Sequence, residues 1–252
     1  RISFLPLRIW VISLCILGFL SYLYKRFLYY YFAPKNNYKV KKITIDKDYL
    51  LLELENNYIN NLLLFKPGQY AFISNSIDVR SEHPFSVVDF SENKVTFGIK
   101  IVGEFTKWLS NIKVDDLVNV KGPFGFFSES IEKNNNLVFI SAGIGITPFY
   151  SMAKSILDSQ NIIMVHSCKT TDSNLLNDYF LNLNKPNFKF IEHNSDTNGR
   201  LNINILKKYI ENISMYTFYI CGPESFMQTI YDELILEGIK KRNIKYEDFA
   251  FK

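Results

Sequence analysis

Apolar and polar positions alternate in three different ways along this chain, and the changes of pattern divide it. From Ile9 to Tyr24 every residue is apolar, aromatic or small. As a helix this run would rise about 24 Å, short of a hydrocarbon core about 30 Å thick. Ile2–Leu7 on one side or Phe27–Phe32 on the other makes up the difference, and Arg8 would snorkel to an interface. A signal sequence and a buried core helix are the competing readings. No small-residue cleavage site follows, and Tyr29-Tyr30-Tyr31-Phe32 has the composition of an interfacial aromatic belt, so a transmembrane helix is expected. Lys25, Arg26, Lys35, Lys39, Lys41 and Lys42 follow the run, whereas Arg1 and Arg8 precede it. By the positive-inside rule, residues after about 34 are expected on the cytoplasmic side of a membrane. A solvated basic linker is compatible with the same cluster.

Pro34-Lys35-Asn36-Asn37 reads as that linker. Beyond it the pattern shortens to strand length, with candidates at Lys39–Ile45, Tyr49–Leu54, Tyr70–Ser74, Phe85–Asp89, Lys94–Ile101 and Leu117–Lys121. One helix interrupts them near Phe105–Ile112. Six short strands without long helical patterns predict a six-stranded antiparallel β-barrel. After Asn134-Asn135-Asn136 strands alternate with helices. The strands are Leu137–Ala142, Ile162–Ser167, Phe188–Glu192 and Tyr216–Cys221; the helices are Thr147–Ser159, Asn174–Leu183, Asn202–Asn212 and Glu224–Glu237. That alternation predicts an α/β domain with a parallel sheet covered on both faces.

Composition narrows the function. Of 252 residues, 47% are hydrophobic and 21% charged, which supplies a core and argues against wholesale disorder. A net charge of +4 without a basic-aromatic stripe argues against a nucleic-acid partner. Cys15, Cys168 and Cys221 are far apart, and His83, His166 and His193 lack ligand spacing, so no metal, iron–sulfur or disulfide framework is expected. A chain that begins with Arg1 rather than Met reads as the tail of something longer.

Four local patterns carry candidate chemistry. Gly143-Ile144-Gly145-Ile146-Thr147-Pro148 follows an apolar strand and opens a helix. Glycines there admit a pyrophosphate to the backbone, the helix start offers amides, and Pro148 suits a first turn. An ordinary strand-to-helix turn has the same appearance. Cys221-Gly222-Pro223 also ends a strand, and ligands of open α/β sheets sit beyond such carboxyl ends, although a buried Cys is common packing. In the barrel, His83-Pro84-Phe85-Ser86 offers an aromatic face beside a hydroxyl for a planar ring. Gly103-Glu104-Phe105-Thr106 offers a helix start for phosphate, with Arg80 and Lys100 as nearby cations. A strand with a turn-type Pro and a normal cap is the plain alternative. Last, the tail Tyr246-Glu247-Asp248-Phe249-Ala250-Phe251-Lys252 would either dock an aromatic into the core or cover a flat cofactor.

In this order, these motifs resemble the ferredoxin–NADP reductase superfamily over roughly residues 38–252. The resemblance is to the C-terminal half of bacterial ferric reductases and NADPH oxidase-like transmembrane proteins. His83–Ser86 matches the family's His-Pro-Phe-Thr/Ser run, and Lys100–Thr106 its Lys-x-x-Gly-x-x-Thr pattern. Gly122-Pro123-Phe124-Gly125 matches the turn out of the barrel, and Gly199-Arg200-Leu201 also appears where relatives often have it. The resemblance implies three parts: a transmembrane and juxtamembrane segment (1–34), an FAD-binding barrel (35–130) and an NAD(P)-binding domain (131–252). It implies that Phe85 stacks on the isoalloxazine, Ser86 lies near N5 and His83 positions the ribityl–phosphate part. Gly103 and Thr106 would hold the pyrophosphate. Gly143, Gly145, Thr147, Pro148, Gly222 and Pro223 would form the nicotinamide-nucleotide turns. Cys221 would sit near the hydride-donating carbon. Glu247 and Phe249 match a terminal Glu-x-Phe whose aromatic shields the flavin, with Phe251 as rival. Lys169 and Arg200 would favour the 2′-phosphate of NADP over NAD. The implied activity is electron transfer from NAD(P)H through FAD to haem and on to ferric iron or oxygen. The haem would lie in a transmembrane domain upstream or on another chain, since the apolar run has no His. A membrane-anchored NAD(P)H diaphorase serving a soluble partner and a non-catalytic nucleotide-sensing module are the alternatives.

Overall fold

The computed structural model describes residues 5–28, 36–56, 63–76, 81–129, 131–170 and 175–247. Helix α1 (Leu5–Leu23) covers most of the apolar run, starts before it and continues as a wider turn over Tyr24–Leu28. None of the residues of α1 is buried against the rest of the chain. Nineteen residues rise about 28 Å, enough for most of a hydrocarbon core.

Strands β1 (Asn37–Asp46), β2 (Tyr49–Glu55), β3 (Tyr70–Asn75), β4 (His83–Phe90), β5 (Lys94–Lys100) and β6 (Leu117–Phe124) form a closed antiparallel barrel in the order β1-β2-β5-β4-β3-β6. Alternate side chains point inward, as a two-residue period dictates. Leu50, Leu52, Leu54, Ile73, Phe97 and Val120 fill the interior. Helix α2 (Glu104–Asn111) adds Leu109 to that core. The out-facing Leu51 and Val88 join the core of the second lobe instead. The two lobes are therefore welded by apolar contact.

The second lobe holds β7 (Asn136–Ala142), β8 (Asn161–Cys168), β9 (Phe188–Asn194), β10 (Thr217–Cys221) and β11 (Ile244–Tyr246), all parallel, in the order β11-β10-β7-β8-β9. Strand order reverses between β7 and β10, the position at which open α/β sheets form a crevice. One face packs Phe139, Met164 and Tyr219 against Phe149 and Met152 of α3 (Thr147–Ser155) and Phe180 of α4 (Asn177–Leu181). Beyond α5 (Ser195–Asn198), the other face packs Val138, Val165 and Phe218 against Leu206 of α6 (Ile203–Tyr209) and Ile230 of α7 (Glu224–Leu236).

Several details depart from the sequence reading, among them a shorter α6 and the additional α5. Helix α3 stops at Ser155 rather than Ser159, because the buried Gln160 folds back. The Gln160 side chain accepts from the Leu157 amide at 3.0 Å and donates to the carbonyls of Ile131 and Asn134. Helix α4 spans Asn177–Leu181, inside the expected Asn174–Leu183. The edge strand β11 was not anticipated, since three residues carry too little alternation to read.

Candidate functional site

Two chain turns meet at the switch point. Gly143 has φ of +52°, a conformation that favours glycine. A Cβ on Gly145 would stand 2.5 Å from the Cys221 carbonyl oxygen and 2.7 Å from the Gly222 Cα. The two turns thus pack backbone against backbone. Pro148 occupies the first turn of α3, and the Thr147 hydroxyl donates to the Ile144 carbonyl at 2.9 Å. The Thr147 methyl abuts Gly98 of β5. Nearby, the Gly68 amide donates to Ser151 Oγ at 3.1 Å, and Lys154 meets both carboxylate oxygens of Asp89 at 2.8 and 2.9 Å. These contacts hold α3 on the barrel wall and leave a cleft of about 460 Å³ along the seam. That cleft brings together Pro84, Phe85, Ser86, Lys100 and Thr106 from the barrel with Gly143, Gly145, Thr147, Cys221, Gly222 and Pro223 from the α/β lobe.

The barrel side presents side chains. Ser86 is buried and lies opposite Tyr70 in the β3–β4 ladder. Phe85 lies nearly parallel to Phe105, with 14° between rings and centroids 6.2 Å apart. His83 stacks on the same Phe105 at 4.1 Å and shares a 2.9 Å hydrogen bond with Ser81 through Nε2. Burial pushes the His83 ring below its ordinary pKa, which favours its neutral form. Thr106 is occupied locally: its Oγ1 accepts from the amides of Val102 and Gly103 and donates to the Gly103 carbonyl, each at 3.0 Å. What α2 offers an anion is thus the backbone amides of its first turn, Glu104 and Phe105. Gly103 has open space where a Cβ would stand.

Cys221 closes β10 and is wholly buried. Burial first, and the charge of Glu247 second, push its thiol well above the ordinary value. Glu247 follows β11 and wedges between lobes. Its Oε1 would lie 3.0 Å from a Cβ on Gly125, a position also 3.1 Å from the Tyr70 ring. Its Oε2 is buried and meets no hydrogen-bond partner among the described residues. Burial raises this carboxyl from 4.5 to about 7. Tyr70 is raised in turn, by burial and then by Glu247. Glu247 faces a neighbouring cavity of about 530 Å³ with Phe126, Phe127 and Tyr246 rather than the central cleft.

Lys169 and Arg200 stand away from that cleft, beyond the carboxyl ends of β8 and β9. Their loops are tied together: the Thr170 amide donates to Asp196 at 2.9 Å, and buried His193 bonds the Gly199 carbonyl at 2.8 Å. Arg80 and Phe249, with its rival Phe251, lie outside the described residues. Gly98 lines the cleft and Tyr49 and Tyr70 adjoin it, and the sequence reading did not single out these three. Only cross-strand register and inter-lobe contact mark them.

Comparisons with known proteins agree with this geometry. Residues 39–128 match the family model "Oxidoreductase FAD-binding domain", and residues 139–232 match "Oxidoreductase NAD-binding domain". Flavohemoprotein A of Dictyostelium discoideum is 36% identical over 147 residues, covering 56% of this chain and 37% of that protein. The electron transfer subunit of dihydroorotate dehydrogenase B (NAD(+)) from Fusobacterium nucleatum is 27% identical over 209 residues, 79% of each chain. Flavohemoglobin from Malassezia yamatoensis, solved with bound FAD and heme, superposes with a TM-score of 0.71 at 23% identity, over 85% of this chain and 60% of that one; it shows the fold. The chain spans 37% to 58% of the length of the flavohemoproteins it matches. The residues present suit FAD: an aromatic face, a hydroxyl and an anion-accepting helix start line one cleft, opposite a glycine turn suited to a second nucleotide, and Lys100 adds a cation to that shared cleft.

Proposed function

The chain belongs to the ferredoxin–NADP reductase superfamily and is an FAD- and NAD(P)-dependent oxidoreductase; from that premise we propose that it draws electrons from NADPH or NADH and delivers them to a haem-bearing transmembrane domain, upstream or on another chain, and through it to ferric iron or oxygen. The observation that carries this reading is the seam itself, where Phe85 and Ser86 of the barrel share one cleft with Gly143, Gly145 and Cys221 of the α/β lobe. FAD, when bound, supplies a ring that accepts hydride and allows a two-electron donor to serve a one-electron chain.

The chain's own residues do the placing. Phe85 gives a flat apolar wall, held parallel to Phe105. Ser86 brings a hydroxyl to the edge of that wall, the first turn of α2 receives phosphate, and Lys100 offers a cation to the same cleft. Gly143 and Gly145 bring backbone amides close to a diphosphate. Cys221 fills the floor between the turns with a thiol that burial keeps protonated and uncharged. Glu247, titrating near neutrality, can hold or release a proton at its buried Oε2. Phe249 or Phe251 would shield the ring plane until the nicotinamide displaces it. Lys169 and Arg200 favour NADPH. Helix α1, exposed along its length and followed by basic residues, supports anchoring with the two lobes on the cytoplasmic side.

The 79% mutual coverage with an electron transfer subunit favours a second reading, a membrane-anchored NAD(P)H diaphorase that serves a separate redox partner. The test is an anaerobic absorption spectrum of the detergent-purified chain, before and after adding NADPH or NADH. Stoichiometric FAD bleached by either nucleotide is expected. A colourless chain that resists FAD loading and leaves both nucleotides unconsumed would overturn the reading. Haem reduction after adding the upstream domain separates the first reading from the second.

A further inference from the structure

Lys100 ends β5 on the barrel side of the cleft, and its surroundings are built. Its ammonium lies 3.4 Å from an Asp48 carboxylate oxygen and 5.5 Å from the centroid of the Tyr49 ring. Both partners come from one hairpin. Asp46 pairs with Tyr49, which leaves Lys47 and Asp48 as a two-residue turn, with φ of +54° at Lys47. The Ile101 amide donates to the Asp48 carbonyl at 2.7 Å, fixing the turn to the end of β5. Tyr49 is the direct cross-strand partner of Lys100. It is also buried, and its hydroxyl ends 3.4 Å from where a Cβ would stand on Gly143. One hairpin therefore holds the cation and touches the glycine turn of the opposite lobe.

We propose that Asp48 is the counter-ion that sets affinity for the nicotinamide nucleotide: it holds Lys100 at the cleft when no anion is present and yields it to the nucleotide diphosphate, with Tyr49 as the support beneath. This inference rests on the proposed function, in which the Gly143 turn receives that nucleotide. The Lys100–Asp48 pair is partly exposed, with side chains 37% and 43% accessible, so it is weak enough to exchange. A diphosphate carries more charge than one carboxylate and wins the ammonium when it arrives. The nicotinamide nucleotide is favoured over FAD as the recipient because Tyr49 abuts Gly143, the turn of the α/β lobe. Asp48 and Tyr49 are positioning residues that act through Lys100.

The test uses FAD-loaded full chain in detergent, titrated calorimetrically with NADP⁺ and NAD⁺, so that no turnover is needed. Asp48→Asn should tighten the Kd about 1.5- to 5-fold at low salt, the range expected for releasing a cation from an exposed pair. The gain should vanish near 0.5 M salt, where charges are screened within about 5 Å. In a Lys100→Met background, Asp48→Asn should change nothing. An unchanged or weaker Kd in Asp48→Asn, a gain that survives Lys100→Met, or a change in FAD retention in place of nucleotide affinity would each overturn the proposal. If the parent chain binds neither nucleotide, the functional reading falls first.

Discussion

On the α/β side the cleft is walled by backbone: Gly145 brings two turns into contact where a methyl group does not fit, Gly222 is tightly packed, and Gly143 holds a positive φ. On the barrel side it is walled by side chains, with Phe85, Ser86 and Lys100 each contributing a separate chemical property. The two walls should therefore fail differently. A backbone wall has no tolerance for added atoms, because what gives way is another main chain. A side-chain wall loses one interaction at a time. The largest effect is accordingly expected at Gly145→Ala, whose methyl would stand 2.5 Å from the Cys221 carbonyl. Overpacking of this kind costs about 1–3 kcal/mol, and the two turns must part to relieve it. Thermal melting should show that loss, and titration should show nicotinamide-nucleotide binding abolished while FAD stays bound. A variant that melts with the parent and binds the nucleotide equally well would break the contrast.

Phe85→Leu probes the other wall. Leu keeps apolar bulk and removes the flat face. A stacked aromatic pair contributes about 0.5–1.5 kcal/mol beyond burial, so FAD should be held roughly two- to tenfold less tightly. The fold should survive, because Phe85 is only partly buried against the barrel core. FAD retained per chain after dialysis measures this. Loss of FAD from Gly145→Ala, with retention by Phe85→Leu, would reverse the assignment of the two walls.

How much of this was legible beforehand follows the same division. The glycine turns, the His83–Ser86 run and ten of the eleven strands carry their signal locally, as a residue type in a short context or a two-residue period. Features made by distant residues do not. Gln160 ends α3 by reaching carbonyls at Ile131 and Asn134, and no helical pattern announces that. Thr106 reads as a cap and does cap, but the structure shows its hydroxyl committed to the Val102 and Gly103 amides rather than held out to a ligand. Tyr70 enters the site because it lies opposite Ser86 and beside Glu247, which register and lobe docking decide. The same is true of Tyr49, whose importance arises from touching Gly143 across the seam.

Glu247 belongs to neither wall, and its substitution sharpens the comparison through the pH dependence of stability. Its carboxyl titrates near 7 in the folded chain against 4.5 ordinarily, because burial disfavours the charged form. The folded state therefore binds the proton more tightly than the unfolded state. Between pH 4.5 and 7 stability must fall as pH rises, and above 7 the full cost of a buried charge is present. Below 4.5 both states are protonated and the difference disappears. Glu247→Gln keeps the shape and removes the titration. Its melting temperature should match the parent near pH 4.5, exceed it increasingly up to about pH 7, and hold that gap up to pH 8. At pH 7, where about half of the parent's folded carboxyls are charged, most of the gap is already present, because the cost accumulates from the unfolded value upward. A constant gap across that range would mean that Glu247 meets solvent or a cation in the working protein. The pH dependence of the barrel–α/β seam would then have to come from another group.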